Sequence, residues 1–445
     1  MADTNISRTL GTPTSDTTWT FSVWMKNPFG GAFTLLNGKV SGSNEQLIQF
    51  KSDGSFYCYL YAGGASFPSH KISTAVFNDP AAWYHVHFIW DTTNGTAEDR
   101  QRMYINGTRL TDFTGNNNNP SADQASTINT ACVHRIGSYE SGDYFKGSMS
   151  HCYLIDGLAL EPTVFGETDS TSGIWKIKTS PTIASYGNNG WCLKMEDRTN
   201  LDLDTSSNAN TFTTNGTGLT ATYDNPSNNF CTMNPLDNYF PAATFSEGNC
   251  KIVTNSSNSA GPTGTMGVSA GKWYWEVEND AGSYSFIGIA NGPESASNKE
   301  LGSGAYEWGK YADDTYYRNN NSSTTYGVTY GAGDIIQIAL DLDNNKLYFG
   351  KDNIWMNSGD PTSGATGTGA ISITDPASTT SGFYFAGCGD WSGTSTFKFN
   401  FGNGYFGTTA VSSTNADDAG IGSFEYDVPT GYYALCTKNI KAYGG

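Results

Sequence analysis

The chain has 445 residues, with 24 lysines and arginines against 42 aspartates and glutamates and a net charge of −18. That balance excludes the basic footprint that nucleic acid or an anionic membrane surface requires, and it serves solubility first. Charged residues are only 15% and aromatics 14%, with 52 glycines, a mix that favours short strands and polar turns over long helices. With no sustained 3.6-residue periodicity, an all-β chain of two or three domains is expected.

The N-terminus, MADTNISRTLGTPTSDTTWTF, has neither a basic n-region nor an apolar core, so no signal peptide is expected. No apolar run approaches the roughly 18 residues of a membrane span. In TTWTFSVWMK, Phe21, Val23 and Met25 take one face and Ser22 and Trp24 the other. Further strands read as LIQF, SFYCYLY, WYHVHFIWD, RMYIN and GSMSHCYLI. Asn106-Gly107 marks a two-residue hairpin, because both central positions of that turn need φ > 0. Regularly spaced short strands with such turns suggest a two-sheet sandwich.

His85 and His87 project from one strand face, as HxH metal ligands do. Trp83 and Ile89 share that face and no third ligand is spaced nearby, so aromatic-like packing is the expected role of both histidines. The cysteines at 58, 132, 152, 192, 231, 250, 388 and 436 are dispersed without a CxxC pair. Reduced thiols and assembly in a cytoplasm are expected.

Residues 179–259 are polar and Asn-rich, yet they carry Trp191, Phe230, Met233 and Leu236. They read as a connector that packs on its neighbours with short strands of its own. A second block follows at 260–410. There Trp273, Trp275 and Val277 face in, and Tyr274, Glu276 and Glu278 face out along a half-solvated strand. Ile336, Ile338, Leu340 and Leu342 form one face of a hairpin strand, with Asp343, Asn344 and Asn345 as turn residues and Leu347 and Phe349 on the return. The tail, 411–445, ends in a strand-like run expected to dock on a neighbour.

WYHVHFIWD, RMYINGTRL and FKGSMSHCYLIDGLAL resemble, in this order, the closing half of a laminin-G or concanavalin-like jelly roll, which assigns residues 1–178 to that sandwich. GKWYWEVE, SFIGIAN, GDIIQIALDLDNNKLYFGKDNIW and FKFNFGNGYF resemble the SPRY (B30.2-like) domain in order and spacing. Lys351, Asp352 and Asn353 stand where many members read K-N-G, which puts that turn in question. DGLALEPTVFGETDSTSGIWKIK and NNFCTMNPLDN resemble stretches of marine bacteriophage structural proteins.

The resemblances imply tandem concanavalin-like sandwiches in a non-enzymatic virion protein, assembled in the host cytoplasm. The leading expectation is a tail or head fibre component presenting glycan- or receptor-binding sandwiches for host attachment. The alternative is a capsid decoration, cement or adaptor protein, and a carbohydrate-active hydrolase ranks last. Implied partners are other virion proteins, further copies of the chain (a trimer by analogy) and a host surface glycan or receptor, with no nucleic acid and no membrane insertion. YEWGKYADDTYYRNNN lacks strict alternation, so Trp308, Tyr311, Tyr316 and Tyr317 are expected in exposed loops, joined by Trp391 in GCGDWSGTS. These positions match the partner-binding loops of the SPRY resemblance, and rim packing or an oligomer interface is the competing role.

No GxSxG, Walker or DxDxDG pattern is present, and no catalytic residue or cofactor is assigned. Glu276, Glu278 and Asp280 alternate as glycosidase carboxylates do, but half-solvated strands alternate in the same way. Calcium is the one cofactor left open, at Asp313, Asp314, Asp341 and Asp343, where turn aspartates more often cap their own backbone.

Overall fold

The computed structural model describes residues 3–27, 30–64, 66–238, 243–255, 261–292 and 300–444. The chain divides into two compact units, Met1–Ala221 with Asn225–Ser227, and Thr222–Asp224 with Asn228–Gly445. Strand makes up 43% and helix 6%, so the all-β expectation holds. Among the described residues no helix is long and apolar enough to cross a membrane.

In the first unit an eight-stranded sheet runs in the order Phe113–Asn118, Ser66–Val76, Ser55–Ala62, Asn44–Phe50, Phe33–Ser41, Val133–Ile136, Asn5–Thr9, Thr213–Asn215. A six-stranded sheet runs Trp191–Leu193, Ser148–Asp156, Thr18–Lys26, Trp83–Asp91, Gln101–Ile105, Thr108–Arg109. Alternation builds the core between them: Phe21, Val23 and Met25 meet Val86, Phe88 and Trp90 from the neighbouring strand, and Phe56, Cys58 and Leu60 from the other sheet. Asn106 and Gly107, at φ 49° and 74°, turn the hairpin as their residue types require.

The second unit repeats the plan. One sheet orders Thr244–Ser246, Lys251–Val253, Thr396–Asn400, Lys272–Ala281, Asp334–Asp341, Lys346–Lys351 and Ile354–Trp355. The other orders Thr263–Val268, Tyr384–Asp390, Ser285–Ala290, Trp308–Tyr311, Tyr316–Asn319 and Ser322–Thr325. Trp273, Trp275, Val277, Ile336, Ile338, Leu340, Leu347 and Phe349 lie in the core between them. The turn in question after Lys351 closes without glycine. Asp352 and Asn353 take φ 47° and 66°, a left-handed pair that Asp and Asn tolerate better than other side chains.

Residues 179–259, read above as one connector, are shared between the units. Trp191–Leu193 and Thr213–Asn215 extend the two sheets of the first, while Thr244–Ser246 and Lys251–Val253 extend a sheet of the second. The expected limit at Ser259 lies outside the described residues. The tail also belongs to the second sandwich. Tyr433–Ala434 pairs in parallel with Trp273 and Tyr274. The rest of the strand-like run is a helix, Thr437–Tyr443, because Ile440 packs on the core and Asn439 Nδ2 donates to Asp417 Oδ2 at 2.7 Å.

Both sandwiches carry a cover over one outer face, and this departs from the half-solvated strands expected. In the second unit Phe230, Phe424, Tyr432, Ala434 and Cys436 pack over Tyr274, Ala339 and Tyr348. In the first unit the segment after Asp156 packs Leu158, Leu160 and Phe165 against Tyr153 and Ile155. The Asp156 carboxylate sets the start of that cover. It accepts from Thr14 N at 2.7 Å, Ser15 N and Asn189 N at 3.0 Å, and Asn129 Nδ2 at 2.7 Å. Asp156→Ala would strand these donors, at about 1–3 kcal/mol for each that stays buried. A loss of at least ~3 kcal/mol in urea unfolding is expected, with Asp156→Asn intermediate. A loss below ~1 kcal/mol would show the loops to be held by other contacts.

Candidate functional site

The SPRY-like sandwich brings three loops to one end, because its strand pairing aligns their roots. Ser285 pairs with Asp390 and Phe286 with Tyr311, so residues 282–284, 312–315 and 391–395 emerge together. Gly282, at φ 102°, permits the first and third to touch; a Cβ there would stand 2.3 Å from Ser395 Oγ and 2.8 Å from Ser395 Cα. Trp391 N donates to Tyr284 O at 3.1 Å. Above that bond the two rings meet edge to face at 6.2 Å and 89°. Tyr284 is 43% exposed and Trp391 54%.

The middle loop is fixed from below. Lys310 Nζ donates to Tyr311 O at 2.7 Å and Asp314 O at 2.8 Å, and Tyr330 OH donates to Ser285 O and Lys310 O. Burial pulls the Lys310 amine down to about 7. Asp313 and Asp314 stand exposed at the loop tip, close enough to the Tyr311 ring to reinforce burial in pushing its hydroxyl up to about 12. The result is a rigid platform with an aromatic pair and two carboxylates facing water. It can stack on a flat apolar surface and accept hydrogen bonds beside it.

Of the five residues expected in exposed loops, the structure keeps Trp391 toward solvent, leaves Tyr316 and Tyr317 half-buried and buries Trp308 and Tyr311. Trp391 is exposed, and Tyr316 is half-buried against Tyr311 at 5.2 Å. Trp308 is 4% exposed and lies edge-on to Tyr384 in the core, while Tyr311 is 5% exposed and stacks on Phe286 at 4.7 Å. Tyr317 packs partly buried against the core beside Tyr326. The segment looked like a loop because its strand Trp308–Tyr311 is covered on both faces, which erases alternation. Leu301 lies over Gly309, where a Cβ would come within 2.7 Å of the Leu301 carbonyl oxygen. Tyr284 was missed by the sequence reading; its signal is a tyrosine two residues after Gly282 in AGSYS.

His85 and His87 are fully buried in the cover of the first unit. Trp175 Nε1 donates to His85 Nδ1 at 3.1 Å, so His85 carries its proton on Nε2 and donates to Ser22 Oγ at 2.8 Å. His85 stacks on Trp24 at 5.0 Å and Trp175 at 5.9 Å. His87 Nε2 donates to Leu160 O at 2.9 Å. Among the described residues no group of three or more His, Cys, Asp or Glu could hold a metal ion. Asp341 and Asp343 take turn roles, accepting from Asn344 N at 3.0 Å and Gly271 N at 2.8 Å.

Glu276 is not half-solvated but fully buried. It accepts from Tyr426 N, Glu425 N and Tyr274 OH at 2.9 Å each and from Asn400 Nδ2 at 3.1 Å. The eight cysteines are buried free thiols.

Residues 3–163 match the concanavalin A-like lectin/glucanases superfamily, and residues 272–372 match the SPRY domain. The chain therefore carries a concanavalin-like N-terminal domain and a C-terminal SPRY domain. No curated protein matches it. Among solved structures it is similar to the SPRY domain of human HERC1, at 15% identity over 38% of this chain and 96% of that one, with a TM-score of 0.29. Stonustoxin is similar at 19% identity over 38% of this chain and 27% of that one, with a TM-score of 0.28. A heptameric SAP-like pentraxin from Limulus polyphemus is similar at 19% identity over 35% and 71%, with a TM-score of 0.26.

Burial holds His87 down at about 3 and His134 at about 4, and it holds His85 well below the usual range. The unfolded imidazoles protonate near 6.5, whereas the folded ones stay neutral. Stability is therefore complete above pH ~6.5 and lost as pH falls below it, by up to ~1.4 kcal/mol per pH unit for each histidine. Urea unfolding between pH 7.5 and 4.5 is expected to show this slope. His87→Gln, which keeps a donor for Leu160 O, should make it shallower by about one proton. An unchanged slope would mean that His87 ionises in the folded state.

Proposed function

We propose that the chain is a non-enzymatic bacteriophage virion protein whose SPRY end attaches to a host-surface glycan or receptor through Tyr284 and Trp391. The observation carrying this reading is the exposed aromatic pair on a preorganised loop end, flanked by Asp313 and Asp314. Aromatic side chains held rigidly at a rim supply contact area at little conformational cost. Both domain types belong to recognition scaffolds, and the phage assignment is supported by the wording of residues 156–178 and 228–238. Burial of Glu276 beneath the tail supports the non-enzymatic reading, since a glycosidase acid must reach its substrate. The competing reading, a capsid decoration protein, is favoured by the exposed apolar side chains of Val328 and Ile354. Copy number per particle separates the two, hundreds indicating decoration and a few tens indicating fibres.

Trp391→Ala and Tyr284→Ala should each weaken adsorption of the purified protein to host cells about tenfold or more without shifting its melting temperature. Trp308→Ala should act differently, costing about 3–5 kcal/mol of stability because it empties the core. Unchanged adsorption in both rim variants would exclude this end of the sandwich.

A further inference from the structure

The strand Ser66–Val76 of the first unit breaks the pattern of its neighbour. Where Ser55–Ala62 places Phe56, Cys58 and Leu60 in the core, Ser66–Val76 sets Ser69, Lys71 and Ser73 on the same side, all buried. Polar side chains at core positions need a reason. Two of the three are satisfied. Ser73 Oγ accepts from Phe56 N at 2.8 Å and donates to Ala75 O at 2.6 Å. Ser69 Oγ donates to Gln101 Oε1, and Gln101 Nε2 donates to Cys58 Sγ at 2.7 Å. Lys71 is the exception. It is 4% exposed, its Nζ lies 4.6 Å from the Phe113 ring centroid, and it donates to no acceptor among the described residues. An ammonium carries three donors, and leaving them buried and unused is costly.

The surroundings are apolar on one side and already paired on the other. Residues 110–112 join Thr108–Arg109, the last strand of the six-stranded sheet, to Phe113–Asn118, the last strand of the eight-stranded one. Leu110 and Phe113 pack half-buried on the core at this corner. Cys58, opposite Lys71 across the strand pair, has its Sγ 3.5 Å from Met103 Sδ. The charged groups that act on the Lys71 amine are Arg109 and Glu98. Arg109 is occupied: Nη1 pairs with Asp99 at 2.7 Å and Nη2 donates to Glu98 O at 2.8 Å. Glu98 stands exposed and forms no ion pair with Lys71. Burial pulls the Lys71 amine below the usual lysine range, with Cys58 and Glu98 opposing and Arg109 reinforcing.

These constraints describe what the amine lacks. It needs one acceptor with a single negative charge, on a body that tolerates Phe113, Leu110 and Met103. A carboxylate makes the short, charge-assisted bond that an ammonium favours. A dianion such as phosphate requires a second unpaired cation, and Arg109 does not supply one. A polyanion meets the exposed Glu98 and a net charge of −18. A polymer of any kind cannot wrap an amine on a side chain 4% exposed. We infer that Lys71 anchors a binding site for a small aliphatic monocarboxylate, its carboxylate on Nζ and its alkyl end against Phe113 and Leu110. Entry is past Phe113, half-buried on a terminal strand that pairs on one side only. The site is independent of the SPRY end.

Melting of the full chain in sodium acetate, butyrate or phosphate, each against sodium chloride at equal ionic strength, tests it. Acetate and butyrate should raise the melting temperature saturably over chloride, butyrate at the lower concentration, while phosphate should match chloride. Lys71→Met keeps the length and the Phe113 contact without a charge to bury. It should weaken butyrate binding about tenfold or more by isothermal calorimetry. Should that variant not fold, butyrate added to wild type with nitrogen-labelled lysine must shift one Nζ resonance, the one that Phe113→Leu also moves. Trp391→Ala should leave every readout unchanged, so that failure here and failure of the SPRY-end reading remain distinguishable. The proposal is overturned if no carboxylate stabilises beyond chloride, if phosphate stabilises equally, or if Lys71→Met binds butyrate as wild type does. A shift spread over several lysine resonances equally overturns it.

Discussion

A chain with little helix and many loops must find partners for backbone N–H groups that no ladder satisfies, and buried carboxylates supply them here. Asp156 gathers Thr14, Ser15 and Asn189; Asp204 takes Cys192 N and Ser206 N at 2.8 Å; Asp417 takes Ala419, Ile421 and Ala434. Glu276 does the same for the tail, receiving the amides of Glu425 and Tyr426. Burying a carboxylate is costly, and such a residue is tolerated only when its oxygens are saturated with donors. Glu276 measures the balance. Even with four donors, burial still pushes it up to about 7, so desolvation outweighs the hydrogen bonds by a modest margin.

These carboxylates explain how the covers stay in place and why they escaped the sequence reading. Local pattern sufficed wherever one face met the core and the turn chemistry was nearby. Asn106-Gly107, the Phe21–Val23–Met25 face and the Ile336–Leu342 face all stand where alternation put them. Pattern failed where a second layer arrives from far along the chain. Tyr274 and Glu276 alternate as outward residues do, and nothing within ten positions announces that Phe424 and Tyr426 will close over them. The same failure misassigned Trp308 and Tyr311: two covered faces look, in one dimension, like an irregular aromatic loop. Trp391 was legible because Gly and Ser surround it in a short turn, and a neighbour could not readily bury it.

Aromatic content, the first compositional oddity of the chain, thus separates into populations with distinct roles. Most rings are core or cover, as with Trp191 against Phe21 and Phe212, or His85 between Trp24 and Trp175. One small group faces water on a braced backbone, the Tyr284–Trp391 pair. Strand pairing and the contacts of the buried Lys310 hold its loops without covering it. That is the preorganisation a recognition surface needs.

The tail that seals the SPRY sheet also sets an order on synthesis. Tyr426 N reaches Glu276 across 150 residues of sequence. A ribosome therefore releases the strand Lys272–Ala281 long before its outer face can be closed. Until residues 424–436 emerge, Tyr274, Ala339 and Tyr348 present an apolar sheet face to solvent, and such surfaces recruit chaperones or nucleate aggregation. Long-range closure of this kind folds slowly. For this domain residues 424–436 are the lock that closes the outer face of the strand Lys272–Ala281.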